Sequence, residues 1–256
     1  TAIKFVYGDI VGEFAIPEGI ESIADNAFKD QAFITKITLP ASLISIGQYA
    51  FSYCSSLEEV VMPYDSAIET IGQYSFEYTS SLKHIDIPGD ENGVMKVRLE
   101  GYCFQYSGIE SITFRGDIAF VGNYVFRNCT NLTKVNNWVP NMPFIPNYFF
   151  YGCSSLENFT IPRLIDSEGN VKPIAIKTYS LYGTAIKNLV VPGYVTEIGN
   201  YAFANNVNLE TVTFEDNTAL VEGGFGTYVF RGCTALKTVD LSPLKELNWI
   251  NTYTFY

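Results

Sequence analysis

IGQYAFSYCSSLEEVVMP, residues 46–63, is followed by IGQYSFEYTSSLKHIDIP, residues 71–88, and ten of the eighteen positions are identical. A near-copy at such a short interval calls for a search at fixed period before any search for chemistry. With the Phe of each copy as an anchor, the mark recurs at Phe28, Phe51, Phe76, Phe104, Phe126, Phe150, Leu181, Phe203, Phe230 and Phe255. The spacings run from 22 to 31 residues. An apolar residue stands five positions before each anchor, as at Ile23, Ile46 and Ile71. Another follows five or six positions after it, as at Leu57, Leu82 and Leu132, and a third comes three further on, as at Val60, Ile85 and Val135. A proline often closes the unit, as at Pro40, Pro63, Pro88, Pro162 and Pro192.

Each unit reads as two pieces. L-x-x-I-x-I/L-P alternates with the period of a strand, and proline ends it because proline has no N–H for the ladder. In I-G-x-Y-A-F-x-x-C, residues such as Ile46, Ala50 and Cys54 fall at i, i+4 and i+8, one face of a short helical turn. One unit cannot bury both its faces, so neighbours must stack. The expectation is a right-handed leucine-rich-repeat solenoid, α/β but mostly β. It has about ten coils of 22–31 residues, with one parallel sheet face and short helical turns opposite. Residues 14–256 form a single domain on this reading. Residues 1–13, TAIKFVYGDIVGE, do not fit the repeat and are expected to be an N-terminal cap or the tail of a preceding region. The unit around 176–189, IKTYSLYGTAIKNL, lacks the Gly and the Phe and is expected to be locally irregular.

The paired I-G and A-F marks, with Pro after the strand, resemble the BspA-like class of leucine-rich repeats over roughly residues 14–256. That resemblance implies a bacterial protein, secreted or held at the cell surface, that binds partners such as host glycoproteins or other cells. A lipid anchor would then lie in a removed N-terminal region.

Bulk composition narrows the partners. Hydrophobic residues make up 47% of the 256, enough for a large core, and charged residues only 17%, too few for disorder. A net charge of −11 argues against nucleic acid and against anionic membrane surfaces, both of which need clustered Lys and Arg. No run of about 18 apolar residues is present, so membrane insertion by this chain is not expected. Four of the five cysteines, Cys54, Cys129, Cys153 and Cys233, stand three after an anchor, and no C-x-x-C occurs. Buried thiols are expected rather than zinc. A Cys129–Cys153 bridge stays open, since stacked coils bring Cα atoms within disulfide range. No cofactor and no metal are expected.

The outward strand positions form the candidate binding surface. Lys36, Glu59, His84, Asp86, Glu110, Lys134, Asn158 and Thr160 are its predicted contact residues. The partner is an extracellular protein or glycoprotein, or a glycan. The lone histidine, His84, has Ser111 one coil away, but no oxyanion hole is legible, so catalytic residues are not assigned. Two other classes remain: a glycan-acting enzyme using Glu58, Glu59, Asp86 or Glu110 as paired carboxylates, and a passive spacer in a larger surface protein. Tyrosines two before nine of the ten anchors, from Tyr49 to Tyr253, read as a ladder of stacked rings or as a stripe for sugars. Three long insertions, 88–96, 163–173 and 215–226, carry D-E-N-G or S-E-G-N cores or acidic residues, and the first two read as hairpin tips.

Overall fold

The computed structural model describes residues 1–89, 97–116, 118–138, 142–216, 220, 224–247 and 249–256. The chain divides into two compact units, Thr1–Asn141 and Met142–Tyr256. Each is a stack of parallel coils, and the anchors divide five and five between them, which makes about ten turns.

Unit 1 carries two parallel sheets. The first is built from the predicted strands: β2 (Gly12–Ala15), β4 (Ile34–Thr38), β6 (Glu59–Val61), β8 (His84–Ile87), β10 (Ser111–Phe114) and β12 (Lys134–Asn136). The second joins β1 (Ala2–Ile3), β3 (Ser22–Ile23), β5 (Ser45–Ile46), β7 (Thr70–Ile71), β9 (Arg98–Leu99) and β11 (Phe120–Val121). Unit 2 repeats the scheme with β13 (Phe144–Ile145), β14 (Ile174–Ile176) and β16 (Val195–Ile198) in one sheet, and β15 (Asn188–Val191), β17 (Thr211–Phe214) and β18 (Thr238–Asp240) in the other. Residues 1–13 join the stack: Ala2–Ile3 pairs with Ser22–Ile23, and Gly12 enters the β2–β4 ladder. At the irregular unit Leu181 takes the anchor place, fully buried, and the β14–β16 register shifts between Ile174 and Ala175.

The expected helical turns are replaced by something else: the described residues contain no helix. In the turns anchored from Phe28 to Phe230, the residues two before and two after the anchor adopt left-handed φ near +55 to +70°, and Tyr253 does so before Phe255. Tyr49 and Tyr53 are one such pair, Tyr74 and Tyr78 the next, and Tyr148 and Gly152 a third. These left-handed residues break the helical run and alternate the amide directions. Tyr49, Phe51 and Tyr53 donate their N–H groups to Gln73, Ser75 and Glu77 of the next coil at 2.8–3.0 Å. Ala50, Ser52 and Cys54, between and after them, donate to the carbonyl three residues back. The i, i+4, i+8 spacing of Ile46, Ala50 and Cys54 therefore marks the buried side of a turn ladder.

The rings lock that ladder. Anchor phenylalanines are fully buried and stack in order, Phe28–Phe51–Phe76–Phe104–Phe126, at centroid distances of 5.0–5.7 Å. The tyrosine row is a ring ladder as well: Tyr49–Tyr74–Tyr102–Tyr124 at 4.4–4.8 Å in unit 1 and Tyr148–Tyr179–Tyr201–Tyr228–Tyr253 at 4.6–5.1 Å in unit 2. A third row, Tyr53–Tyr78–Tyr106, was not foreseen from the sequence. The Gly of I-G has a close-approach role: a Cβ on Gly72 would lie 2.6 Å from the Ile46 carbonyl oxygen and 2.7 Å from the Gly47 carbonyl carbon. All five cysteines are buried and none is in a disulfide, so the Cys129–Cys153 bridge is not made.

This geometry makes Tyr74 informative. Alanine there keeps the left-handed backbone and removes two stacked neighbours, each pair worth about 0.5–1.5 kcal/mol. Tyr74→Ala is expected to lose about 1–3 kcal/mol in urea unfolding, and Tyr74→Asn less, because Asn tolerates positive φ. Equal losses for the two would show that backbone conformation contributes nothing at this position.

Candidate binding surface

The predicted outward column forms in register on the first sheet of unit 1. Lys36 lies beside Glu59, Glu59 beside His84, His84 beside Ser111, and Ser111 beside Lys134. The inward neighbours Ile37, Val60, Ile85 and Ile112 are buried, which holds the polar side chains on the opposite face of the pleat. Lys36 Nζ is 2.9 Å from Glu59 Oε2. One residue before β10, Glu110 faces Lys83 at 3.6 Å. Lys134 is exposed and has no carboxylate within ion-pair reach among the described residues. Asn158 and Thr160 are exposed in unit 2, in a segment that forms no strand, and are not part of this sheet.

At the centre stands a hydrogen-bonded group. His84 shares a hydrogen with Ser111 Oγ through Nδ1 (2.7 Å) and contacts Asp86 Oδ1 through Nε2 (2.9 Å). Asp86 also pairs with Arg115, whose guanidinium lies 5.3 Å from the centroid of the Tyr64 ring. Partial burial works against the Asp86 charge, but the hydrogen bonds from Arg115 and His84 outweigh it and hold the carboxyl below the ordinary aspartate value. Arg115 and Tyr64 escaped the sequence reading. A signal was present: Arg115 follows Phe114, which pairs with Ile87, so it occupies the column where Pro88 closes the neighbouring strand.

Three residue types found together in serine hydrolases meet here, yet the arrangement does not resemble their chemistry. Asp86 is committed to an arginine, and the His84 side chain is about half exposed on an open sheet face. The N–H groups of Glu110 and Ser111 are spent on the Lys83 carbonyl, so they are not available to a developing oxyanion. The carboxylate-pair chemistry of a glycosidase meets a similar obstacle, because Glu59, Asp86 and Glu110 each face a cation. Burial pushes the Cys54 and Cys129 thiols up to about 12 and Cys233 to about 11, so they stay neutral and unreactive. Cys54, Cys129 and Cys233 instead donate to the carbonyls of Phe28, Phe104 and Phe203, the anchors one coil before their own, at 3.0–3.2 Å. Among the described residues no group of three or more His, Cys, Asp or Glu side chains is placed to hold a metal ion.

Alternating charges on the sheet faces act between coils. In unit 2 Glu157, Lys187, Glu210 and Lys237 alternate along one column, with Lys187–Glu157 at 3.1 Å and Lys237–Glu210 at 2.5 Å. Exposed pairs of this kind contribute about 0–1 kcal/mol each. Of the three insertions, 163–173 is a hairpin tip as read. Ile165 bridges Val171 antiparallel, and the Asp166 carboxylate accepts the N–H groups of Glu168 and Asn170 at 2.9 and 2.8 Å. Residues 90–96 of the first insertion, and 217–219 and 221–223 of the third, lie outside the described residues.

Comparison with known proteins agrees with this architecture. The family model described as a BspA type leucine rich repeat region matches in six copies, over residues 5–96, 97–171 and 174–256. A leucine-rich repeat protein from Bacteroides ovatus is 20% identical and aligns over 94% of this chain and 84% of its own, with a TM-score of 0.59. The leucine rich repeat protein of T. pallidum is 19% identical over 100% of this chain and 91% of its own, at 0.52. A leucine rich cell surface protein from Faecalibacterium prausnitzii is 19% identical over 99% and 81%, at 0.51. At such identities the likeness is one of fold. Among curated proteins none matches the chain.

The depressed Asp86 carboxyl gives a signed expectation. Its contribution is present above the unfolded aspartate value of about 3.9 and is lost as pH falls through the lower folded value. Asp86→Asn is therefore expected to cost up to about 1 kcal/mol at neutral pH, with the difference from wild type closing below about pH 4. A difference that stays constant down to pH 3, roughly, would remove the charge network from the account.

Proposed function

The chain belongs to the family of BspA type leucine-rich repeat proteins, and on that premise we propose that it is a non-catalytic interaction module, displayed at the cell surface or secreted, that binds an extracellular protein or glycoprotein. The observation that carries this reading is the outward-facing column Lys36–Glu59–His84–Ser111–Lys134, with Glu59, His84 and Lys134 exposed and Lys36 and Ser111 half-buried, held in register by five parallel strands. A rigid repeat sheet presents such side chains at fixed spacing without any cost of ordering a loop, and solenoids commonly bind along this face. The residues proposed to touch the partner are Lys36, Glu59, His84, Asp86, Glu110 and Lys134. Charges that are already paired, such as Asp86 with Arg115, are pre-oriented for a partner, and Lys134 is open to one. Asn158 and Thr160 remain candidates in unit 2, on a segment of their own.

Surface display is supported by the family and by the cell-surface relative from Faecalibacterium prausnitzii. No described helix is long and apolar enough to cross a membrane. The mixed charge of the column favours a protein surface of similarly mixed charge over a uniformly charged polymer.

Biolayer interferometry of the chain against a panel of purified extracellular-matrix glycoproteins, at low and high salt, tests the proposal. At least one saturable response is expected, weakening as salt rises. Lys36→Glu combined with Lys134→Glu is expected to reduce it by about tenfold or more. Silence across the panel from folded protein would favour the spacer reading, and an unaffected double variant would move the contact off this face.

A further inference from the structure

Unit 2 departs from unit 1 at the two positions that follow each anchor. In three of the five coils of unit 1 the second position after the anchor carries a ring, that of Tyr53, Tyr78 or Tyr106, and in the other two it is Asp30 and Asn128. In unit 2 that position holds Gly152, Gly183, Asn205 and Gly232. The rings move to the first position instead, which reads Tyr151, Tyr182, Ala204, Arg231 and Tyr256. Coil-to-coil hydrogen bonds hold these residues in one column: Gly183 donates to Ala204, and Asn205 donates to Arg231. Tyr151 and Tyr182 stack at 4.6 Å, and then the column falls to the methyl of Ala204 before it rises again at Arg231.

The step leaves a groove of about 450 Å³ on unit 2, with Ala204 at its floor. Tyr148, Tyr179 and Tyr201 form one wall, and Tyr182, Asn205 and Arg231 complete it. Arg231 also lines an adjoining groove of about 330 Å³ with Tyr228, Tyr253 and Tyr256. No Asp or Glu side chain lines either groove. The guanidinium lies 5.4 Å from the centroids of both the Tyr228 and Tyr256 rings. Lys177, Lys187, Lys237 and Lys245 of this unit each face a carboxylate, whereas Arg231, like Arg163 and Lys172, makes no ion pair with one among the described residues.

We propose that this tyrosine-lined groove is a binding site for an acidic glycan, with Arg231 pairing to a sugar carboxylate and the tyrosine and asparagine groups meeting its hydroxyls. Three features select that chemistry. The wall tyrosines stack face to face along their row, so they turn edges and phenol groups outward, which suits a hydroxylated ring better than a flat aromatic one. Asn205 already donates to the Tyr182 hydroxyl, an amide and a phenol placed together as they are needed for sugar hydroxyls. An arginine held between two rings presents its fork with little freedom left to lose, and the fork matches a carboxylate with two parallel hydrogen bonds. Two grooves meeting at one arginine fit a chain of sugars rather than a single one. The site shares no residue with the charged column of unit 1, so either can fail without the other.

Titration of the full chain with α2,3-sialyllactose and with hexagalacturonate tests the proposal, using lactose and the methyl-esterified hexamer as neutral counterparts. At least one acid is expected to bind saturably, and its neutral counterpart about tenfold or more weaker. Arg231→Gln, at an exposed position, should lower the thermal midpoint by no more than a few degrees, for the lost ring contacts, and weaken the acid by a similar factor. Asn205→Gly, which suits the left-handed backbone, should weaken it less. The proposal is overturned if neither acid binds, if the neutral sugars bind equally well, or if Arg231→Gln keeps full affinity. It is also overturned if polyglutamate binds as tightly as the sugar acid, since the groove would then read charge alone.

Discussion

The structure depends on the N–H groups that each turn sends to the next coil. A coil of 22–31 residues has no core of its own, so its turn must be bonded outward, along the stack. Left-handed residues on both sides of the anchor make that possible by reversing alternate amides. For a residue other than glycine the conformation costs about 1–2 kcal/mol. A stacked tyrosine pair returns about 0.5–1.5 kcal/mol, and each net hydrogen bond about 1 kcal/mol. At the middle of these ranges ring stacking alone falls short of the strain, and ring and coil-to-coil bond together exceed it. Buried Phe anchors and the glycine contact at Gly72 then set the coil spacing.

Once the stack is fixed, the side chains that point outward are relieved of structural duty, and the two units use them differently. Unit 1 spends them on a mixed-charge column with a histidine at its centre. Unit 2 moves its rings by one residue, opens glycine positions beside them, and drops one ring to a methyl. These are the places where copies differ. The parts that repeat carry architecture, and the parts that vary carry recognition.

Much of this was legible in the sequence, for stated reasons. Anchors, inward strand residues and the column from Lys36 to Lys134 follow from a repeat with few insertions at the strand itself, where register is strict. The second sheet was not legible, because two residues such as Ser45–Ile46 are too short to show alternation. Helical turns were expected because a left-handed turn ladder places Ile46, Ala50 and Cys54 inward at the same intervals as a helix would, and a tyrosine at φ +56° gives no compositional warning. Arg115 was not legible because it stands where a proline usually closes the strand, as Pro88 does one coil earlier. The groove of unit 2 depends on which of two adjacent positions bears the ring, and that shift acquires meaning only when coils are superposed by their hydrogen bonds.

Residue-resolved hydrogen exchange tests the outward bonding of the turns most directly. If the turns are bonded from coil to coil, the amides of Phe51, Phe76 and Phe104 should be as protected as those of the buried strand residues Ile85 and Ile112. Exchange of these three anchor amides at the rate of exposed loop amides, while the strands stay protected, would contradict the turn ladder on which the rest of the structure is built.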